Sequence, residues 1–146
     1  MTAVITEGNM SIPVQDDIIL GCTIHGEASS ESRDVQTRTA QIVLNRLKQH
    51  WKPTIASVCL ARRQFDCWDP GTKNRTRVFT DYTNRNADLQ QSILIARDLI
   101  AGTISAPEIK DANMYFVWST PRPYWAHAPY ILVYKDETNE YWKVPR

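Results

Sequence analysis

The sequence predicts an α+β fold, a helical body carrying a small antiparallel β-sheet or hairpin, on three observations. In separate stretches between Asp16 and Ala101 apolar residues recur at spacings of three and four, the period of amphipathic helices. Beyond Gly102 the pattern changes to short runs rich in aromatic and β-branched residues, the signature of strands. Helices followed by strands, rather than alternating with them, argue for α+β and against a parallel sheet. The 146 residues, 42% of them hydrophobic, suffice for one core, and no repeat, low-complexity tract or long Pro/Gly/Ser linker divides them.

Residues 1–15 have no helical period and read as a flexible arm, leaving 16–146 as the folded domain. A first helix opens at Asp16 and Asp17, whose charges suit a helix N-terminus, and turns Ile18, Ile19 and Cys22 inward before ending near Gly26 to Ser30. The second runs from Ser32 to His50 with Val35, Thr39, Ala40, Val43, Leu44, Leu47 and Trp51 along one stripe, and Pro53 stops it. Thr54 is placed to cap a short third helix over Ile55 to Ala61. Gln64 to Thr83 is rich in Asp, Gly, Thr, Asn and Arg and reads as an exposed loop. A fourth helix spans Ala87 to Ala101, with Gly102 positioned to end it in a left-handed conformation. Strands follow at Met114 to Trp118, Tyr130 to Tyr134 and Tyr141 to Val144, the last two forming a hairpin around Asp136 to Asn139.

Seventeen Lys and Arg against sixteen Asp and Glu leave a net charge of +1, which disfavours a nucleic-acid partner held by charge. Apolar runs fall well short of the roughly 20 residues of a membrane-spanning helix, so no membrane insertion is expected. Nothing near Met1 has the basic flank and apolar run of a secretory signal, so synthesis in the cytoplasm without a signal peptide is the expectation. Cys22, Cys59 and Cys67 make an odd number, and reduced packing residues are the default, with pairing of Cys59 and Cys67 left open.

Chemistry concentrates in two strings. In Ile24-His25-Gly26-Glu27-Ala28-Ser29-Ser30-Glu31, a continued helix would place Glu27 and Glu31 on one face. Glu27 follows an apolar helix, and desolvation there raises a carboxyl's pKa and keeps its proton available for donation. The competing reading is a pair of solvated helix-end glutamates. His25-Gly26-Glu27 also matches the His-x-Glu of zinc deaminases, but the Pro-Cys-x-x-Cys that signature needs is missing, and His25 reads as structural. Gln64-Phe65-Asp66-Cys67-Trp68 mixes flat apolar surface with polar groups, as a sugar site does, although such aromatics commonly plug a core. Trp118, Tyr124, Trp125, Tyr130 and Tyr134 could line a groove in the same way. No catalytic triad and no phosphate loop stands out, and no metal or cofactor is expected.

Taken together, His25-Gly26-Glu27-Ala28, Val43-Leu44-Asn45-Arg46, Trp51-Lys52-Pro53-Thr54-Ile55, Val58-Cys59, Gln64-Phe65-Asp66-Cys67-Trp68 and Pro123-Tyr124-Trp125-Ala126 resemble, in order and spacing, the SleB-type cell wall hydrolases, or spore cortex-lytic enzymes. The resemblance covers Ile18 to Trp142. It implies a lysozyme-like α+β domain that cuts peptidoglycan glycan strands between N-acetylmuramic acid and N-acetylglucosamine, commonly as a lytic transglycosylase leaving a 1,6-anhydro end. The family's catalytic glutamate falls on Glu27, the expected general acid/base, and its second on Glu31, expected to position or support. Gln64, Phe65, Trp68, Asn113, Tyr115 and Trp125 are the remaining candidate substrate-binding residues.

Three departures bear on sugar recognition. The family's Arg-Gly between the two glutamates is Ser29-Ser30, its Thr-His-Tyr-His is Asn113-Met114-Tyr115-Phe116, and its His-x-Phe-Tyr lies where Glu140-Tyr141-Trp142 stand. Hydrolysis by a muramidase, with Glu31 or Asp34 as helper, is the alternative within the class. A non-catalytic peptidoglycan-binding or virion structural domain is the alternative outside it. The partner expected throughout is the glycan strand, met by a monomer, and a phage lysin released through another protein's pore fits a chain with no evident signal.

Overall fold

The computed structural model describes residues 3–145; Met1 and Thr2 of the expected arm and Arg146 of the expected domain lie outside the described residues. Five helices make the body: α1 (Asp16–Ala28), α2 (Arg33–Lys48), α3 (Ile55–Leu60), α4 (Lys73–Thr83) and α5 (Ala87–Ala101). The central one is α1, buried continuously from Ile19 to His25 because α2, α3, α4 and α5 all pack on it. That encirclement explains why its inward face extends beyond Ile18, Ile19 and Cys22. Close contact with α5 depends on Gly21, where a Cβ would lie 2.5 Å from Ile93 Cγ1 and 2.6 Å from Ile93 Cα.

The expected helix boundaries hold where capping chemistry fixes them. Ser32 Oγ accepts from Val35 N at the start of α2. Thr54 and Ser57 form a reciprocal capping box at α3. Gly102, at φ 79°, closes α5. None of the helices among the described residues is long and apolar enough to cross a membrane.

Two expectations are corrected. Within the arm, β1 (Val4–Glu7) and β2 (Met10–Pro13) form an antiparallel hairpin that turns at Gly8, φ 59°. It is docked rather than loose, since Ile12 is fully buried and Glu7 Oε1 accepts from Arg75 Nε at 3.1 Å. The polar segment 64–83 contains a 3-10 turn at Asp66–Trp68 and then α4. Thr72 caps α4 by accepting from Arg75 N, and Val78 and Phe79 anchor it in the core.

The second layer is a three-stranded antiparallel sheet of β3 (Met114–Val117), β4 (Ile131–Lys135) and β5 (Asn139–Lys143), in the order β3-β5-β4. The expected hairpin is β4–β5, with a register shift between Leu132 and Tyr134. Its turn is built on Asp136, whose carboxylate accepts from Thr138 N, Asn139 N, Tyr141 OH and Arg38 Nη1. Those donors hold it below its ordinary pKa despite burial. Ile42 of α2 meets Ala106, Ile109, Ala112 and Tyr141 in a small second core joining the sheet to the body. The result is the helical α+β arrangement with small antiparallel sheets that the sequence predicts.

Candidate active site

Glu27 sits in the last turn of α1, where helix carbonyls have no partner within the helix. Two residues of α4 supply the missing donors. Asn74 Nδ2 donates to Gly26 O at 2.9 Å and to Asp66 Oδ1 at 2.8 Å, while Arg77 Nη2 donates to His25 O, Gly26 O and Asn74 Oδ1. His25 itself is buried and bonds Asp81 Oδ2 through Nε2 at 2.7 Å, a further tie from α1 to α4. Gly26 lets the 64–68 segment lie against α1, for a Cβ there would stand 2.6 Å from Cys67 Cβ. The backbone beneath Glu27 is therefore held from two sides.

A cleft of about 400 Å³ opens over Glu27, walled by Arg46 of α2, Gln64 and Phe65, Tyr115 of β3 and Trp125. The Asn45-Arg46 pair sets the distance between helices and sheet. Asn45 Nδ2 donates to Lys110 O and Ala112 O, and Arg46 Nε donates to Asn113 O at 2.8 Å, which fixes the start of β3. The Arg46 guanidinium lies over Trp51 at 4.9 Å and Phe65 at 5.4 Å, so cation–π contacts offset its burial. From β3, Tyr115 OH reaches 3.5 Å from Glu27 Oε1 in a long hydrogen bond. Burial and the nearby Glu27 raise the Tyr115 pKa, so it stays a neutral donor.

Burial raises the Glu27 carboxyl from its ordinary 4.5 to about 7, reinforced by the charge of Asp66 and by a side-chain hydrogen bond with Asp66, and opposed by Tyr115. Two hydrogen-bonded carboxyl groups must share a proton, which makes Glu27 a group that gives up and regains a proton near neutral pH. Among the described residues no group of three or more His, Cys, Asp and Glu side chains is placed to hold a metal ion.

Of the residues singled out by sequence, the fold brings Glu27, Gln64, Phe65, Tyr115 and Trp125 to one cleft. Three others lie elsewhere. Glu31 falls beyond the end of α1, so it shares no helical face with Glu27, and its Oε2 accepts from Thr138 Oγ1 at the β4–β5 turn. Trp68 is a core ring whose Nε1 donates to Thr23 Oγ1 at 2.9 Å, edge-on to Phe79. Asn113 is fully buried and ties β3 to the C-terminal segment, donating to Gln49 Oε1 and Val144 O and accepting from Val144 N. The three cysteines are free and buried, and burial pushes the thiols of Cys22 and Cys59 up to about 12.

The Gln64 to Trp68 string contains Asp66 but does not mark it as a partner for Glu27, and a loop reading of 64–83 gives no sign that Asn74 and Arg77 lie on a helix facing α1. A larger cavity of about 480 Å³, between the N-terminal hairpin, α1, α4 and α5, is lined by Met10, Ile18, Tyr82, Arg85, Ile93 and Arg97 among others. None of its lining residues carries a carboxyl group.

The chain thus carries a partly buried, proton-sharing carboxyl at the end of a buried helix, set in a cleft between a helical body and a small sheet, on a lysozyme-like α+β fold. Residues 30–138 match the family model described as Cell Wall Hydrolase, and the chain belongs to that family. Glu27 lies just ahead of the matched span, whereas the other cleft residues fall within it. Among curated proteins and solved structures, none matches the chain.

Proposed function

We propose that the protein cuts the glycan strands of peptidoglycan between N-acetylmuramic acid and N-acetylglucosamine, as a lytic transglycosylase with Glu27 as its general acid and base. The observation carrying this reading is the Glu27 carboxyl, raised to about 7 in a cleft walled by Tyr115, Gln64 and Trp125. In the first step protonated Glu27 gives its proton to the glycosidic oxygen as the bond from the muramic acid C1 breaks. The glutamate, now an anion, takes the proton of the muramic acid 6-hydroxyl, and that oxygen bonds to C1. A 1,6-anhydro end and a new 4-hydroxyl end result, with the proton returned to Glu27 and no water consumed.

The placement of acids supports this over hydrolysis. Hydrolytic pairs stand roughly 5–9.5 Å apart across the scissile bond. Asp66 instead hydrogen-bonds Glu27 on the same side, suiting it to hold the proton on Glu27. Neither Glu31 nor Asp34 lines the cleft, which leaves the hydrolytic reading without its helper. Mass spectrometry of the soluble products from purified peptidoglycan tests the proposal. Fragments one water lighter than the reducing-end species are expected, and reducing-end fragments alone would refute it.

A further inference from the structure

We propose that the depression lined by Trp51, Tyr124, Trp125 and Tyr130 is a saccharide-stacking subsite that grips the glycan strand away from the bond being cut. This inference rests on the glycan-strand reading above. The depression, about 230 Å³, shares Gln64, Met114 and Trp125 with the cleft over Glu27, so the two adjoin. A strand that runs on from Glu27 past those shared residues meets it.

The lining chemistry selects the occupant. Beside the four aromatic residues stand Gln64, Met114, Val144 and Pro145, and none of the eight carries a charge. The nearest cation, Arg46, is buried against Trp51 and already bonded to Asn113 O and Gln64, so an acidic stem peptide or a phosphate chain finds no exposed counter-ion there. A neutral N-acetylhexosamine ring, with an apolar face for a flat side chain and hydroxyl edges for Gln64, is matched. Tyr124, which lines the depression, is 88% exposed and presents its ring to solvent.

The platform is mounted rigidly, which spares a binding partner the cost of ordering it. The segment between β3 and β4 is clamped by a double pairing of Arg122 Nη1 and Nη2 with Glu140 Oε1 and Oε2, each 3.2 Å. Arg122 Nη1 also donates to Ala126 O at 3.1 Å. The Trp125 ring is wedged edge-on between Phe116 at 5.7 Å and Trp142 at 6.4 Å, and Trp142 Nε1 donates to Glu140 Oε1.

The test uses glycan strands freed of stem peptides and separated by length, with KM measured for each length. Wild-type KM should fall about tenfold from the shortest cleaved strand to strands long enough to reach the depression, the equivalent of about 1.4 kcal/mol. Tyr124→Ala should lose that gain and Tyr124→Phe should keep it, since stacking needs the ring and not the hydroxyl. A length dependence that survives Tyr124→Ala intact overturns the subsite while leaving the cleavage reading in place. Wild-type protein that cuts no strand of any length overturns the cleavage reading and the subsite together.

Discussion

Replacing Glu27 by Gln should make the protein more stable at alkaline pH. Burial and Asp66 hold the carboxyl at about 7 against an ordinary 4.5, so the folded state retains a proton that the unfolded chain has already released. Where the folded state binds more protons, stability falls as pH rises. The stability associated with Glu27 is therefore fully present below about 4.5 and lost as pH climbs through about 7. A displacement of that size corresponds to about 3 kcal/mol, and partial solvent access reduces it to about 1–3 kcal/mol. Glutamine keeps the shape, carries no charge, and its amide N–H donates to Asp66 as the protonated acid does. Denaturant unfolding of both proteins across pH reads the difference, which should be near zero at about pH 4 and reach about 1–3 kcal/mol in favour of Glu27→Gln by about pH 8.5. In thermal melts this is roughly 3 °C for each kcal/mol. A difference independent of pH, or a variant less stable at alkaline pH, would refute the sheltered-carboxyl argument.

Asp66→Asn removes the neighbouring charge and the shared hydrogen bond, so Glu27 should titrate lower, with burial retaining part of the rise. The alkaline limb of the kcat/KM profile should move to lower pH, and an unmoved limb would contradict the role given to Asp66. Trp68→Phe should cost about 1–2 kcal/mol by removing the bond to Thr23 and part of a buried ring, with KM for glycan unaltered, and a raised KM would return Trp68 to the groove. Gly26→Ala should cost about 1–3 kcal/mol by overpacking, because its Cβ meets Cys67 Cβ at 2.6 Å. Cleavage by the folded fraction should fall as well, since the displaced residue adjoins Glu27.

How far the sequence could be read depended on whether local chemistry matched the tertiary role. Helices α2, α3 and α5 were legible because Ser32, Thr54 with Ser57, and Gly102 mark ends that the fold keeps. α4 was hidden by its polar composition. Thr72 as a cap, followed by Val78, Phe79 and Tyr82, is the available signal, but Asn74, Arg75 and Arg77 direct hydrogen bonds to distant parts of the chain, so the helix shows no simple polar outer face. The N-terminal hairpin was missed because each strand is only four residues long, too short for alternation to stand out.

At the site, the apolar helix before Glu27 leaves its carboxyl open between a sheltered and a solvated position, and it is the resemblance that singles out Glu27, Tyr115 and Trp125. Glu31 was misplaced because the i, i+4 argument assumes a helix that continues, while α1 ends at Ala28. Within Gln64 to Trp68 a single 3-10 turn sends Cys67 and Trp68 into the core and Asp66 out beside Glu27, a sorting no composition rule supplies. Asn113, read as a groove hydrogen-bonder, spends its bonding capacity on Gln49 and Val144.

The most direct test of the proposed chemistry is the rate at which purified peptidoglycan strands are cut by Glu27→Gln relative to wild type, both verified as folded. Loss of a general acid/base predicts a fall of about 10²–10⁴-fold. A folded Glu27→Gln protein that cuts within about tenfold of wild type would contradict the assignment, because general acid/base catalysis contributes far more than that.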